Sequence, residues 1–259
     1  MARPFNASPP CRSVAIASLN MRFGIAPRTE QPYDLTAAIA SLDADVVALQ
    51  EVWRPRRGDA AHLAAAEALG YSIVELELGR AHNKTSPRPV RVSEGRHDTW
   101  WGVAVLARHA VVAASSIEFT PIRFDAAGRA ALVATVTIDG RPLTVVTPHL
   151  TYRLWGSARH LRELAAALQR ISTPAVVLGD FNMWGPVVSR LVRGWQRPVR
   201  GRTWPARFPH SQIDHVLLSP DLVARDAAVL PPVGSDHRPV RVVVDWPPPE
   251  GASGASGVS

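Results

Sequence analysis

The chain has 259 residues, 46% of them hydrophobic and 20% charged, with a formal net charge of +7. That length can bury a large core in one big domain or two small ones, and the composition is that of an ordinary globular protein. No apolar run approaches the ~20 residues a membrane helix requires, and a single cysteine, Cys11, excludes an internal disulfide or a cysteine-based zinc cluster.

In chain order, residues 1–12 hold no packable pattern and are expected to be disordered. Met1–Pro10 lacks an apolar segment ahead of a cleavage site, so a cytoplasmic location is expected. Short β-type runs follow at Val14–Asn20, Val46–Gln50, Tyr71–Glu77, Gly102–Leu106, Ala131–Ile138, Leu143–Thr147, Ala175–Leu178, Ile213–Leu218 and Val240–Trp246. Between them, Asp34–Leu42, Asp59–Leu69 and Ser157–Arg170 read as helices; the last places Leu161, Leu164, Ala165 and Leu168 on one face. Arg80–Thr99, polar and with two prolines, reads as a long loop. The tail 247–259 is Pro-, Gly-, Ser- and Ala-rich and is expected to be disordered. No linker interrupts 13–246, so a single domain is expected there. Several strands are continuously apolar, as strands covered on both faces are. Many strands with few helices imply sheet packed on sheet, with helices outside.

The chemistry lies where apolar strands stop. Val14–Leu19 ends in Asn20, Val46–Leu49 in Gln50-Glu51, Leu143–Pro148 in His149, and Ala175–Gly179 in Asp180-Phe-Asn182. Near the C-terminus, Ser235-Asp236-His237-Arg-Pro leads into Val240–Val244. Strand ends are rigid and accessible, so they suit groups that must converge. Any one of these residues could be a turn former, a helix-start carboxylate or a satisfied loop histidine. Five strand ends built alike are less easily explained that way. Asp214, inside an apolar strand, needs a histidine or a cation as partner. Hard oxygen ligands without a second cysteine suit Mg²⁺ or Mn²⁺, and two histidines beside them offer proton transfer and charge stabilisation.

The set Ser18-Leu-Asn20, Leu49-Gln-Glu51, Thr147-Pro-His149-Leu, Gly179-Asp180-Phe-Asn182, Gln212-Ile-Asp214-His-Val and Ser235-Asp236-His237-Arg-Pro resembles the endonuclease/exonuclease/phosphatase superfamily, the DNase I-like fold. The resemblance spans about residues 13 to 246. It implies an α+β, four-layer αββα sandwich of two mixed β-sheets with the site at one edge. It also implies a divalent-metal-dependent phosphodiester hydrolase with Glu51 as main metal ligand, assisted by Asn20 and Asp236. Asp180 would orient or deprotonate the attacking water and Asn182 would position it. His237, held cationic by Asp214, would contact the phosphate, and His149 would stabilise the transition state or protonate the leaving oxygen. Whether Asp180 or His237 is the general base stays open. Thr-Pro-His stands where Asn-Thr-His or Val-Thr-His is commoner, and Ala107 replaces a serine in the Trp101–Arg108 strand.

Fold does not choose the substrate. Pro186–His210 carries six arginines, no acidic residue, and Trp195, Trp204 and Phe208, a mixture suited to phosphate clamping and base stacking. From it Arg200, Arg202, Trp204 and Arg207 are candidate substrate contacts, and nucleic acid is the favoured partner. Hydrolysis of a phospholipid headgroup or small phosphate ester is the alternative, and a catalytically silent binding module is a third possibility. Trp100-Trp101 is read as core packing.

Overall fold

Successive side chains along a strand point to opposite faces, and this alternation decides which layer each one enters. The computed structural model describes residues 13–55, 60–80, 99–125 and 127–246. In chain order it contains β1 (Ser13–Asn20), a single 3-10 turn at Arg22–Gly24, α1 (Leu35–Ala40), β2 (Val46–Arg54), α2 (Ala61–Ala68), β3 (Ser72–Arg80) and β4 (Trp100–Ala107). Then come β5 (Ala110–Glu118), β6 (Ala130–Ile138), β7 (Arg141–Pro148), α3 (Leu154–Leu168), β8 (Ala175–Asp180), α4 (Gly185–Leu191), β9 (Asp214–Leu218), β10 (Val223–Val229) and β11 (Val240–Asp245).

The strands form a six-stranded sheet, β10-β11-β1-β2-β4-β3, and a five-stranded sheet, β5-β6-β7-β8-β9. Both are mixed, because β1–β2 and β7–β8 pair in parallel while the other pairs are antiparallel. Three apolar layers follow. Val14, Ile16, Val46, Ala48, Val105, Leu132, Val145, Val176 and Val216 meet between the two sheets. On the outer face of the first sheet, Ala17, Leu19, Val47 and Leu49 meet Leu35 and Ile39 of α1 and Ala65 of α2. On the outer face of the second, Val146, Val177 and Leu217 meet Leu161, Leu164 and Leu168 of α3 and Val188 of α4. The result is the four-layer αββα sandwich. Each fully buried Val, Leu or Ile stabilises it by roughly 1.5–3 kcal/mol.

The helix read over Asp34–Leu42 starts where Asp34 caps it, its Oδ1 accepting from the Ala37 N–H at 2.9 Å. The helix read from Ser157 begins three residues earlier, at Leu154. Three elements have no counterpart in the sequence reading: β5, β10 and α4. The two strands are sheet edges: β5 has its short apolar run, Ala110–Ala114, almost wholly in solvent, and β10 is interrupted by Arg225 and Asp226, so neither shows the long apolar pattern of a covered strand. Helix α4 is short and opens on Pro186. The flanks 1–12 and 247–259, and the loop reading over 81–98, lie outside the described residues.

Candidate active site

Along β1, β2, β7 and β8 the side chains facing between the sheets stay apolar until the last turn of each strand, and then become polar. In β1 the series is Val14, Ile16, Ser18, Asn20; in β2, Val46, Ala48, Gln50. In β7 it is Leu143, Val145, Thr147 and then His149; in β8, Val176, Leu178, Asp180. β9 is antiparallel to β8, so its first residue, Asp214, pairs with Asp180. His149 bridges to Asp180 from the other side. The site is therefore the intersheet layer continued past its apolar section.

Glu51 would face the helices if β2 stayed regular. Instead the β2–β4 register shifts between Gln50 and Val52, and Glu51 takes a left-handed φ of 54°. The bulge inserts one residue and reverses the alternation beyond it. Val52 then packs with the helix layer and Trp53 against the intersheet layer, and the Glu51 carboxylate turns into the cleft.

A polar floor lies directly below. The Gln50 amide donates to Ser18 Oγ (3.1 Å) and Thr147 Oγ1 (2.9 Å), and its Oε1 lies 3.2 Å from Ser18 Oγ. Gly179 fits over it because a Cβ there would lie 2.4 Å from the Pro148 carbonyl oxygen. The Ser235 hydroxyl donates to the Asn20 carbonyl (2.6 Å) and accepts from the His237 N–H (3.2 Å), which ties the C-terminal motif to the end of β1.

Above the floor the functional groups converge. Asn20 Nδ2 donates to Glu51 Oε1 and to Asp180 Oδ2, both at 3.1 Å, while its Oδ1 accepts from the Arg22 N–H. His149 Nε2 lies 3.5 Å from Asp180 Oδ2 and 3.9 Å from Glu51 Oε1. His237 Nδ1 donates to both Asp214 oxygens at 3.0–3.1 Å, which leaves its Nε2 3.9 Å from Asp180 Oδ2. The Asn182 N–H donates to Asp180 Oδ1 (2.8 Å) and its amide to the Leu150 carbonyl (3.0 Å). Asp236, partly exposed, has Arg22 Nε at 3.8 Å. Among the described residues, ligand atoms of Asp180, Asp214 and His237 lie within 4.8 Å of one another. Because Asp214 is hydrogen-bonded to His237, we read those two as a dyad rather than as ion ligands.

The electrostatics separate the two imidazoles. Burial is the largest influence on His237 and pushes its pKa down, but the charge and hydrogen bond of Asp214, then Asp180 and Asp236, outweigh it and lift the group to about 10. Burial pushes His149 well below the ordinary value, and the charges of Arg129 and His237 push it the same way. At neutral pH one ring is cationic and the other neutral. Burial raises the Asp180 carboxyl to about 7, with His237 opposing and Asp214 reinforcing. Burial also raises Glu51, against the Asn20 hydrogen bond and the charge of His237, while Asp236 adds to the rise.

The cleft has a volume of about 780 Å³ and is lined by Glu51, His149, Asp180, Asn182 and His237. It also brings in residues the sequence reading passed over, chiefly Arg129, Tyr152 and Trp184, and Trp101, which that reading assigned to core packing. Arg129 Nη1 donates to the carbonyls of His149 and Leu150 at 3.3 Å, its Nε to Asp125 at 3.0 Å, and its guanidinium lies 5.2 Å from the centre of the Trp101 ring. A charge at the head of the apolar run Ala130–Val133 was its available signal, the same one that marked Asp214. Trp101 is buried, as read, and meets His149 edge-on at 5.8 Å. Of the four candidate substrate contacts, only Trp204 lines the cleft. Thr203 is the inward anchor of that segment, its Oγ1 accepting from the Ile213 and Asp214 N–H groups at 3.2 Å. Arg200, Arg202 and Arg207 are exposed and outside the cleft lining.

Comparison with known proteins agrees with the fold. The chain resembles a solved endonuclease/exonuclease/phosphatase from Beutenbergia cavernae, with TM-score 0.71 and 21% identity over 91% of this chain and 72% of that one. It also resembles a mannosyl-6-phosphatase from Bacteroides thetaiotaomicron, with TM-score 0.67 and 14% identity over 90% and 100%. A third is the human Nocturnin catalytic domain with bound sulfate, with TM-score 0.65 and 17% identity over 91% and 95%. A search of curated proteins returns no match. The profile described as the Endonuclease/Exonuclease/phosphatase family matches residues 17–237, and the chain therefore belongs to that family, whose members are phosphoric ester hydrolases.

Proposed function

We propose that this chain is a divalent-metal-dependent phosphodiesterase that acts on nucleic acid. The observation that carries the reading is the convergence of two histidines on one carboxylate in the cleft, with His149 Nε2 3.5 Å and His237 Nε2 3.9 Å from Asp180 Oδ2; Asp214 favours the protonated form of His237 while burial favours the neutral form of His149. Groups whose environments drive their pKa values apart mark out acid and base roles.

Hydrolysis of a phosphodiester needs an in-line water, neutralised equatorial oxygens and a stabilised leaving oxygen. Asp180 is placed to accept the proton of the water, with Asn20 and Asn182 fixing its two oxygens. His237, its Nδ1 committed to Asp214, has Nε2–H free to donate to a phosphate oxygen. His149 stabilises the leaving side with an N–H. Arg129 holds the backbone of His149 and adds a positive charge to the cleft.

The donor set fits a divalent cation. Glu51 offers a hard carboxylate, partly exposed, that accepts a hydrogen bond from the Asn20 amide, and Asp236 lies near enough to raise its pKa. Glu51, assisted by Asp236 and Asn20, would hold the ion. When bound, such an ion supplies Lewis acidity toward the phosphoryl oxygens.

The test is hydrolysis by the purified chain, with Mg²⁺, Mn²⁺ or EDTA, of plasmid DNA, single-stranded DNA, RNA, sphingomyelin, bis(p-nitrophenyl) phosphate and p-nitrophenyl phosphate. Metal-dependent cleavage of a nucleic acid and of the generic diester is expected. Cleavage of sphingomyelin or the monoester alone would reject the nucleic-acid assignment. No turnover of any of them would reject catalysis.

A further inference from the structure

Eight large apolar side chains stand out as exposed among the described residues. Six of them, Phe124, Tyr152, Leu154, Trp155, Trp184 and Phe208, are 54–71% accessible; Leu154 and Trp155 open α3 and the other four occupy connections. The other two, Val112 and Val223, belong to the edge strands β5 and β10. Phe124, Tyr152 and Trp184 line the cleft itself, together with Trp204. Soluble chains rarely concentrate exposed apolar surface in one place unless something binds there.

The chemistry of this rim narrows the occupant. Five of the six side chains are aromatic. Arginines lie against three of the rings: Arg123 on Phe124 at 4.6 Å, Arg153 on Tyr152 at 4.7 Å, and Arg207 on Phe208 at 4.8 Å. Arg153 Nη2 also donates to the Phe124 carbonyl at 3.3 Å, joining the β5–β6 and β7–α3 connections. Trp184 follows Asn182 by two residues, and Tyr152 follows His149 by three, so a ring stands within three residues of a proposed catalytic group just beyond each of two strands, β7 and β8. Rings backed by guanidinium groups suit a strand that carries both π-faces and phosphates. A duplex keeps its base faces stacked and hidden, so it could use the arginines but not the rings.

Resting on the phosphodiesterase reading above, we infer that the cleft mouth is a stacking platform for unpaired bases and that the preferred substrate is single-stranded nucleic acid. Tyr152 and Trp184 hold the bases either side of the scissile phosphate, and Arg123 and Arg153 face the flanking phosphates. A bilayer surface would also accept Trp and Tyr, but insertion would bury the arginines that lie on the rings.

The binding test uses the full chain in EDTA, so that turnover does not interfere. Tryptophan quenching and the anisotropy of a labelled 12-mer are followed for single-stranded DNA, the same sequence as a duplex, and phosphatidylcholine/phosphatidylserine vesicles. Expected are at least tenfold tighter binding of the single strand than of the duplex, and a loss of fivefold or more in Trp184→Ala and Tyr152→Ala. Trp184→Phe should recover most of that loss, because a ring is restored. Both side chains are exposed, and circular dichroism checks that the variants remain folded. Equal affinity for duplex and single strand, or indifference to both alanine variants, would overturn the inference. Vesicle binding that the same substitutions abolish, without a matching effect on the oligonucleotide, would assign the rim to lipid instead. Hydrolysis of bis(p-nitrophenyl) phosphate with Mn²⁺, run in parallel, separates the two claims: failure there counts against the phosphodiesterase chemistry, while the binding arms still report on the rim.

Discussion

Asp214→Asn should show how far one buried charge sets the state of the site. The substitution keeps the shape and an acceptor for His237 Nδ1 but removes the charge. His237 stands at about 10 against an ordinary 6.5. At about 1.4 kcal/mol per unit, the folded protein favours the protonated ring by about 5 kcal/mol. Asp214 is the largest favourable contributor, and about 3 kcal/mol is expected to go with it, as when a buried pair loses one member. The sign follows from the folded pKa lying above the unfolded one. The stabilisation is fully present below pH 6.5, declines as the unfolded chain loses its proton, and is gone above about 10. Urea denaturation without metal, from pH 6 to 10.5, should give the parent chain a falling stability across that window. The variant should be weaker at pH 7, flat above about pH 8, and convergent with the parent near pH 10. An NMR titration of the His237 ring should show its midpoint falling by about two units. An unchanged alkaline slope, or a His237 midpoint still near 10 in the variant, would refute the reasoning.

Three further outcomes follow from the same geometry. Glu51→Gln should weaken Mn²⁺ binding by calorimetry at least about tenfold while leaving the fold intact, since a neutral amide replaces the principal hard ligand; an unchanged isotherm would remove Glu51 from that role. Gly179→Ala should cost about 1–3 kcal/mol in thermal unfolding, because its Cβ meets the Pro148 carbonyl, and it should lower turnover through Asp180. Burial holds His215 at about 4, its Nε2 donating to the Met183 carbonyl at 2.8 Å. Its folded pKa lies below 6.5, so stability should fall by about 3 kcal/mol as pH drops from 6.5 to 4. His215→Gln should flatten that acid limb, and an equally steep limb in the variant would show that other groups cause it.

The sandwich was legible because the central strands are apolar on both faces, which only covered sheets tolerate. Its edge strands were not, because β5 presents alanine and serine to solvent and Arg225 and Asp226 interrupt β10. The convergence of Asn20, His149, Asp180 and Asp214 was legible as polar residues at strand ends, and the alternation between layers explains why they meet. Glu51 was marked in the sequence only by its neighbours, because its direction depends on a register shift that pairing with β4 creates. The aromatic rim was hidden for a different reason. Phe124, Tyr152 and Trp184 lie far apart in the chain, and an isolated aromatic residue in a loop looks the same whether it packs inward or stands in solvent. The arginines between Pro186 and His210 attracted attention by number, yet the fold turns Thr203 inward there and leaves Arg200, Arg202 and Arg207 outside the cleft.

The register shift in β2 has a consequence for how the protein can vary. Gln50 and Val52 pair with successive residues of β4, Val103 and Gly102, so Glu51 is an additional residue outside the ladder, and Val52 toward the helices and Trp53 toward the facing sheet continue the alternation that Gln50 begins. Exchanging Glu51 for another side chain alters the chemistry and leaves the packing alone. Deleting it would close the ladder with both neighbours still on their present faces, so the core does not require position 51 and the site does.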